Sequence, residues 1–273
     1  MKNKVNRALG AKKKLSFIMA LCMCCLITGC AKRSNQSTTD ENVEVTKIYN
    51  LVILDRSGSM TPLREVAVQG YNETLDVIRA AQQQHNLEQQ NLITLTLFNH
   101  LVTDVFDCDT VKDIPNLLMK DYQPDGMTAM FDAVGLSLTK LKRKLQGLEN
   151  ASAVVTIISD GLENASHMYT LDDVAKLIDS MKEQGVMFVF MGTNQNVQQV
   201  ASALHIDEYR YFEYSTAGMK DAWKRSMNAS ADYYDRMSQY NKDTRGMSKK
   251  DRNTYYRDRN KEDGWFDNSK GNH

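Results

Sequence analysis

Short apolar runs that alternate along the chain with stretches of helical spacing constrain this fold more than any other feature. The pattern predicts strands over 48–54, 91–98, 153–159, 186–191 and 209–214, and helices over 63–84, 130–145, 171–183 and 197–204, with a last helix beginning near residue 217. Asn99 and His100 read as the turn of a hairpin whose second arm covers 101–106. Strands that are nearly all apolar must be covered on both faces, and helical crossovers between them make neighbouring strands parallel. The expected architecture is therefore a doubly wound α/β fold: a mainly parallel sheet with one antiparallel edge strand and helices on both faces. In such folds ligands bind beyond the carboxyl ends of the strands, at the switch point of the strand order.

The 273 residues, 42% of them hydrophobic, suffice for one domain of roughly 150–200 residues and flanking segments. Residues 1–29 carry Lys2, Lys4, Arg7, Lys12, Lys13 and Lys14 and no acidic side chain, and their apolar run over 15–29 is short for a membrane span, which needs about 20 residues. The stretch Ile27-Thr28-Gly29-Cys30 resembles the bacterial lipobox, which implies a lipoprotein signal peptide over 1–29 and a lipid on the Cys30 thiol. An uncleaved anchor helix is the other reading of this segment. Either places the domain outside the cytoplasm, on a membrane of the bacterial cell envelope. Ala31-Lys32 lacks an aspartate that would hold a lipoprotein at the inner membrane, which favours the outer one.

Overall charge is balanced at 34 basic against 34 acidic residues, and removing the six basic residues of the leader leaves 28 against 34, a net charge of −6. A mildly acidic chain is a poor nucleic-acid binder, because neutralising phosphates needs a clustered basic face. Cys22, Cys24 and Cys25 would leave with the leader and Cys30 would be acylated, so Cys108 has no partner for an intramolecular disulfide and is expected as a small buried residue. Residues 30–46 are polar and read as a flexible tether, 47–228 as the domain. Residues 229–273 hold ten basic and eight acidic side chains, several tyrosines and few aliphatics, and are expected as a charged extension, helical at first and disordered later, with a partner-docking tail as the alternative.

The chemistry concentrates where the first strand runs into Asp55-Arg56-Ser57-Gly58-Ser59. A carboxylate and two hydroxyls around one glycine turn make half the oxygen shell that a hard cation such as Mg²⁺ wants. The two serines alone could equally be caps for the helix near Leu63. Two further segments weigh against that: Asp125-Gly126-Met127-Thr128 delivers a hydroxyl just before a helix, and a second buried strand ends in Asp160-Gly161. Each contributes oxygen only, and each falls where loops at one sheet edge would meet.

This arrangement resembles the von Willebrand factor A family and its metal-ion-dependent adhesion site, over roughly residues 47–228 and including the strand at 186–193 and the segment 197–206. The resemblance implies that Ser57 and Ser59 bind the cation through their hydroxyls, that Asp55 and Asp160 bind directly or through water, and that Thr128 enters or leaves the shell with conformation. It implies Mg²⁺, with Mn²⁺ or Ca²⁺ as alternatives, and a protein partner whose Asp or Glu carboxylate completes the shell. Met60-Thr61-Pro62 stands where integrin-type members carry paired aspartates, so a second adjacent cation site is not expected. Glu163 and Asn164 are expected as solvated loop residues, with shaping of the site's rim as the alternative, and Asp125 and Asp132, similarly placed, as turn and helix-start carboxylates.

No enzyme is expected. Asp55 resembles the nucleophile of haloacid dehalogenase-type phosphatases, but Ser57 stands where those have a second aspartate. A serine hydrolase would need a Gly-x-Ser-x-Gly elbow and a histidine base, and His85, His100, His167, His205 and His273 are scattered. A lipid-anchored, metal-dependent adhesion module is the leading reading. A scaffold subunit of a membrane-associated complex, using metal-independent surfaces, is the alternative, and a metal-dependent hydrolase stands behind both.

Overall fold

The computed structural model describes residues 45–193 and 197–265. The expected leader, Cys30 and nearly all of the expected tether lie outside the described residues. In chain order come β1 (Thr46–Asp55), α1 (Arg64–Gln84), β2 (Gln89–Phe98), β3 (Val102–Thr110), α2 (Met130–Leu145), β4 (Ala151–Ser159), α3 (Leu171–Lys182), β5 (Met187–Thr193), α4 (Val197–Ala203), β6 (Glu208–Phe212), α5 (Thr216–Asp243) and α6 (Lys249–Asp263). As far as the start of α5 these are the elements read from periodicity.

The six strands lie in the order β3-β2-β1-β4-β5-β6. Among the described strands only β2 and β3 pair antiparallel. The chain leaves β1 on one side as β2 and returns on the other as β4. That reversal places the switch point between the carboxyl ends of β1 and β4, the position from which loops diverge to opposite faces. Alternation along β1 splits the core in two. Ile48, Val52 and Leu54 join α1 and α5 in one cluster, while Tyr49, Leu51 and Ile53 join α2, α3 and α4 in the other. Contact between α1 and α5 depends on Gly70, where a Cβ would come within 2.3 Å of the Trp223 indole.

Two expectations need correction. Cys108 is half-buried rather than buried and takes a left-handed φ of 59°. It is the residue left over where the β2–β3 register slips: Thr94 pairs with Asp107 and Ile93 with Asp109. Its amide donates to the Thr94 hydroxyl at 3.0 Å, so a bulge in an edge strand, not core packing, sets its position.

The second correction concerns the C-terminal segment. Helix α5 runs across residue 228 without a break, and α6 follows. Tyr233, Tyr234, Met237, Tyr240, Tyr256 and Trp265 are all buried and belong to the α1-side cluster. Aliphatic residues are scarce here, but aromatic ones bury 150–250 Å² each and substitute for them. Side chains of α6 also reach the underside of the sheet: Lys249 and Arg252 donate to the Leu145 and Glu149 carbonyls and Asn260 to that of Gly185. Residues 266–273 lie outside the described part.

Candidate metal centre

β1 ends in Asp55, a fully buried carboxylate. One of its oxygens accepts the Ser57 amide at 2.6 Å and the other the Ser159 hydroxyl at 2.5 Å. The Asp55 carbonyl accepts the Tyr122 hydroxyl at 2.5 Å. Beyond it the chain bends into a short 3₁₀ turn over Gly58–Leu63, preceded by Ser57, whose side chain makes no capping hydrogen bond. Nor does α1 have a side-chain cap, its N-cap residue being Leu63. The hydroxyls of Ser57 and Ser59 are thus not used as helix caps. They lie 3.0 Å from each other, and Ser59 donates to Asp160 Oδ1 at 2.7 Å.

Thr128 is delivered by the loop before α2. Gly58 N–H donates to the Gly126 carbonyl at 3.0 Å and Asp125 N–H to the Arg56 carbonyl at 2.9 Å, so this loop is stitched to the first one. Asn164 clamps Thr128 from the other side, accepting its amide at 2.9 Å and donating to its carbonyl at 3.0 Å. A Cβ built on Gly161 would sit 3.0 Å from the Thr128 hydroxyl and 3.4 Å from that of Ser59. The absence of a side chain at Gly161 keeps both oxygens uncovered. Hydrogen bonds thus link Asp55, Ser57, Ser59 and Asp160 in turn at the carboxyl ends of β1 and β4, and Gly161 lies between the Ser59 and Thr128 hydroxyls. Asp55, Ser57, Thr128 and Asp160 are buried, and Ser59 opens to solvent.

Electrostatics make this point hungry for positive charge. Burial pushes the Asp160 carboxyl up to about 6 and the neighbouring Asp55 charge adds to the rise, against a lowering by the Ser59 hydrogen bond. Asp55 is raised too, by burial first, with the Ser159 and Ser57 hydrogen bonds opposing. Asp160 Oδ2 is buried and has no hydrogen-bond partner. A buried carboxylate oxygen without a donor is costly unless something cationic or protic meets it. An orphaned carboxylate oxygen beside three hydroxyls is an oxygen-only set that suits a hard dication. Among the described residues no group of three or more His, Cys, Asp or Glu side chains is arranged to hold a metal ion, and this point has two carboxylates, those of Asp55 and Asp160.

Sequence reasoning missed Ser159, Thr193 and Tyr214 and read the other supporting residues as ordinary loop, turn and helix-start groups. Glu163 and Asn164 are not simply solvated. The Glu163 carboxylate accepts the Phe131, Ala165 and Ser166 amides and the Ser166 hydroxyl. Asp132 is a helix-start carboxylate as expected, yet it is buried and accepts the amides of His167, Met168 and Tyr169, each at 2.8 Å. Asp125 accepts the Asn99 side chain at 2.5 Å. Thr193, at the end of β5, donates to the Asp160 carbonyl at 2.7 Å, and Tyr214 donates to the Ser59 carbonyl at 2.6 Å. Nothing local to these residues in sequence announces their partners. The one available signal was closeness in sequence to a motif residue, which pointed to Ser159, Glu163, Asn164, Asp125 and Asp132 but not to Thr193 or Tyr214.

A family model described as the von Willebrand factor type A domain matches residues 51–221. Among solved structures the chain is similar to a von Willebrand factor type A protein from Catenulispora acidiphila, at 15% identity and a TM-score of 0.48, covering 68% of this chain and 43% of that one. It is similar to proximal thread matrix protein 1 from the mussel byssus at 12% identity and a TM-score of 0.50, covering 68% and 47%. It is also similar to the manganese-loaded TRAP protein of Plasmodium vivax at 15% identity and a TM-score of 0.44, covering 67% and 73%. The chain spans less than half the length of the first two. At such identities the likeness concerns the fold alone. No curated protein matches the chain.

Proposed function

This chain belongs to the von Willebrand factor type A domain family, whose members are commonly protein-interaction modules, and we propose that it is a cation-dependent binding module that captures an acidic group of a protein partner. The observation that carries the reading is the buried, unpartnered Asp160 Oδ2 beside the hydroxyls of Ser57, Ser59 and Thr128. Ser57, Ser59 and Thr128 would offer neutral oxygens, and Asp55 and Asp160 would bind directly or through water. A bound divalent cation, Mg²⁺ first with Mn²⁺ or Ca²⁺ as substitutes, would supply an electrophilic centre for the partner's carboxylate. The chain's own task is orientation: Ser159 and the Ser57 amide hold Asp55, and Asn164 holds Thr128. In this reading Cys30 carries a lipid that keeps the module at a bacterial envelope membrane, the outer one by preference.

A Mg²⁺ and Mn²⁺ titration of the full chain, by calorimetry and thermal melting beside Asp160→Asn and Asp55→Ala, tests this. The wild type is expected to bind one equivalent and to melt higher, because linkage stabilises it by about 2.7 kcal/mol at a hundredfold excess over Kd. Asp160→Asn should stay folded and lose the shift, which keeps the test meaningful if Asp55→Ala disturbs the buried end of β1. A folded wild type that ignores both ions would sink the proposal. Partner capture that survives EDTA would move the function to metal-independent surfaces, as in a scaffold subunit.

A further inference from the structure

Three large apolar side chains stand in solvent around the mouth of this site: Met127 at 56% exposure, Leu162 at 59% and Tyr214 at 47%. Each is tied to a proposed ligand position. Met127 immediately precedes Thr128, and Leu162 follows Gly161, whose α-carbon faces the Thr128 and Ser59 hydroxyls. Tyr214 is held by its hydroxyl on the Ser59 carbonyl. They come from three different connections, before α2, after β4 and between β6 and α5, each of which carries or touches a proposed ligand position. Single exposed apolar residues need no explanation, but several converging on one polar point mark an interaction surface.

The frame is preordered. Glu163 gathers the amides of Phe131, Ala165 and Ser166, and Asn164 brackets Thr128, so the loops carrying Met127 and Leu162 are fixed by buried or half-buried hydrogen bonds rather than free to fold away. The same bonds settle the charge. The Asp125, Asp132 and Glu163 carboxylates along this edge are each engaged by donors of the chain itself, and Arg56 stands within the motif. An incoming acid is thus spared repulsion by an unengaged carboxylate from these three.

Resting on the reading of the site as a carboxylate-capturing cation centre, we propose that the partner presents its Asp or Glu within a short exposed protein segment that carries an apolar residue on each side, seated against Met127, Leu162 and Tyr214. The carboxylate supplies orientation and the flanks supply selectivity. Binding energy at protein interfaces concentrates in a few well-packed, desolvated side chains, and the contacts around them exclude water.

The test uses the Mn²⁺-loaded full chain and three glycine-flanked synthetic peptides displayed on one surface, with cores Leu-Asp-Leu, Ser-Asp-Ser and Leu-Asn-Leu. The first is expected to bind at least about tenfold more tightly than either of the others. In Leu162→Ser and Met127→Ser the advantage of Leu-Asp-Leu over Ser-Asp-Ser should shrink severalfold. A Mn²⁺ titration of each protein runs beside it. Normal Mn²⁺ binding with equal capture of the two Asp peptides, or with a preference that both variants retain, overturns this proposal alone. Failure of the wild type to bind Mn²⁺ overturns the cation reading and takes this one with it.

Discussion

Asp160 is a carboxylate whose needs the chain meets only on one oxygen, and its behaviour with pH follows from that. Its carboxyl sits near 6, above the ordinary 3.8, with burial as the main cause. The folded chain therefore keeps a proton that the unfolded chain releases at lower pH. Without a cation, stability should fall as pH rises from about 4 to about 6 and level off above, the slope following the difference in bound protons. Cation affinity should run the opposite way, because the ion competes with that proton. Mn²⁺ is expected to bind about tenfold more weakly at pH 5 than at pH 7, and an affinity flat across that range would show that no proton on Asp160 competes with the ion there. Gly161 gives a second prediction. Its Cβ-less backbone leaves 3.0 Å to the Thr128 hydroxyl, so Gly161→Ala should weaken Mn²⁺ binding while leaving the melting temperature of the metal-free protein within a few degrees.

At the scale of elements, the segment that follows β4 is the most heavily tied loop of the site. Two carboxylates, Glu163 and Asp132, accept six backbone amides between them, from Phe131, Ala165, Ser166, His167, Met168 and Tyr169. Removing an acceptor leaves half-buried donors unpaired at about 1–3 kcal/mol for each group that water cannot reach. Glu163→Ala is expected to speed amide exchange in 163–166 and to lower Mn²⁺ affinity indirectly, whereas Glu163→Gln should restore part of both. Exchange rates unchanged in Glu163→Ala would refute the loop's dependence on this carboxylate. On the opposite layer, Gly70→Ala would push a methyl into the Trp223 ring, within 2.3 Å of its nearest atoms. Overpacking of this kind costs about 1–3 kcal/mol, read as a lower melting temperature, and Trp223→Phe in the same chain should relieve part of it.

For the whole molecule the issue is where the folding unit stops. α5 and α6 contribute Tyr233, Tyr234, Met237, Tyr240, Tyr256 and Trp265 to the cluster that covers one face of the sheet. Ending the chain at Asn228 would expose that face, including Ile48 and Ile93. Losing several buried aromatic side chains at about 3–5 kcal/mol each exceeds the 5–15 kcal/mol that holds a typical domain together. A chain ending at 228 should fail to melt cooperatively, and one ending at 265 should match the full chain. Cooperative melting of the shorter form would refute this account of the C-terminal helices.

Local pattern was enough for the strands, for the helices as far as α5 and for the sheet's class, and the resemblance to a known family singled out Asp55, Ser57, Ser59, Thr128 and Asp160. Period-two and period-3.6 spacings are written into neighbouring residues, and Asp55, Thr128 and Asp160 end or precede elements whose limits those spacings define. Tertiary structure alone decided the rest. Asp132 and Glu163 read as ordinary loop and helix-start acids because the amides they accept belong to a segment whose path the chain does not announce. Tyr214 reaches Ser59 across 155 residues. A tail poor in aliphatics became part of the core because its tyrosines found a sheet face already built by distant strands. Burial and long-range hydrogen bonding are properties of where a residue ends up, and no local spacing encodes them.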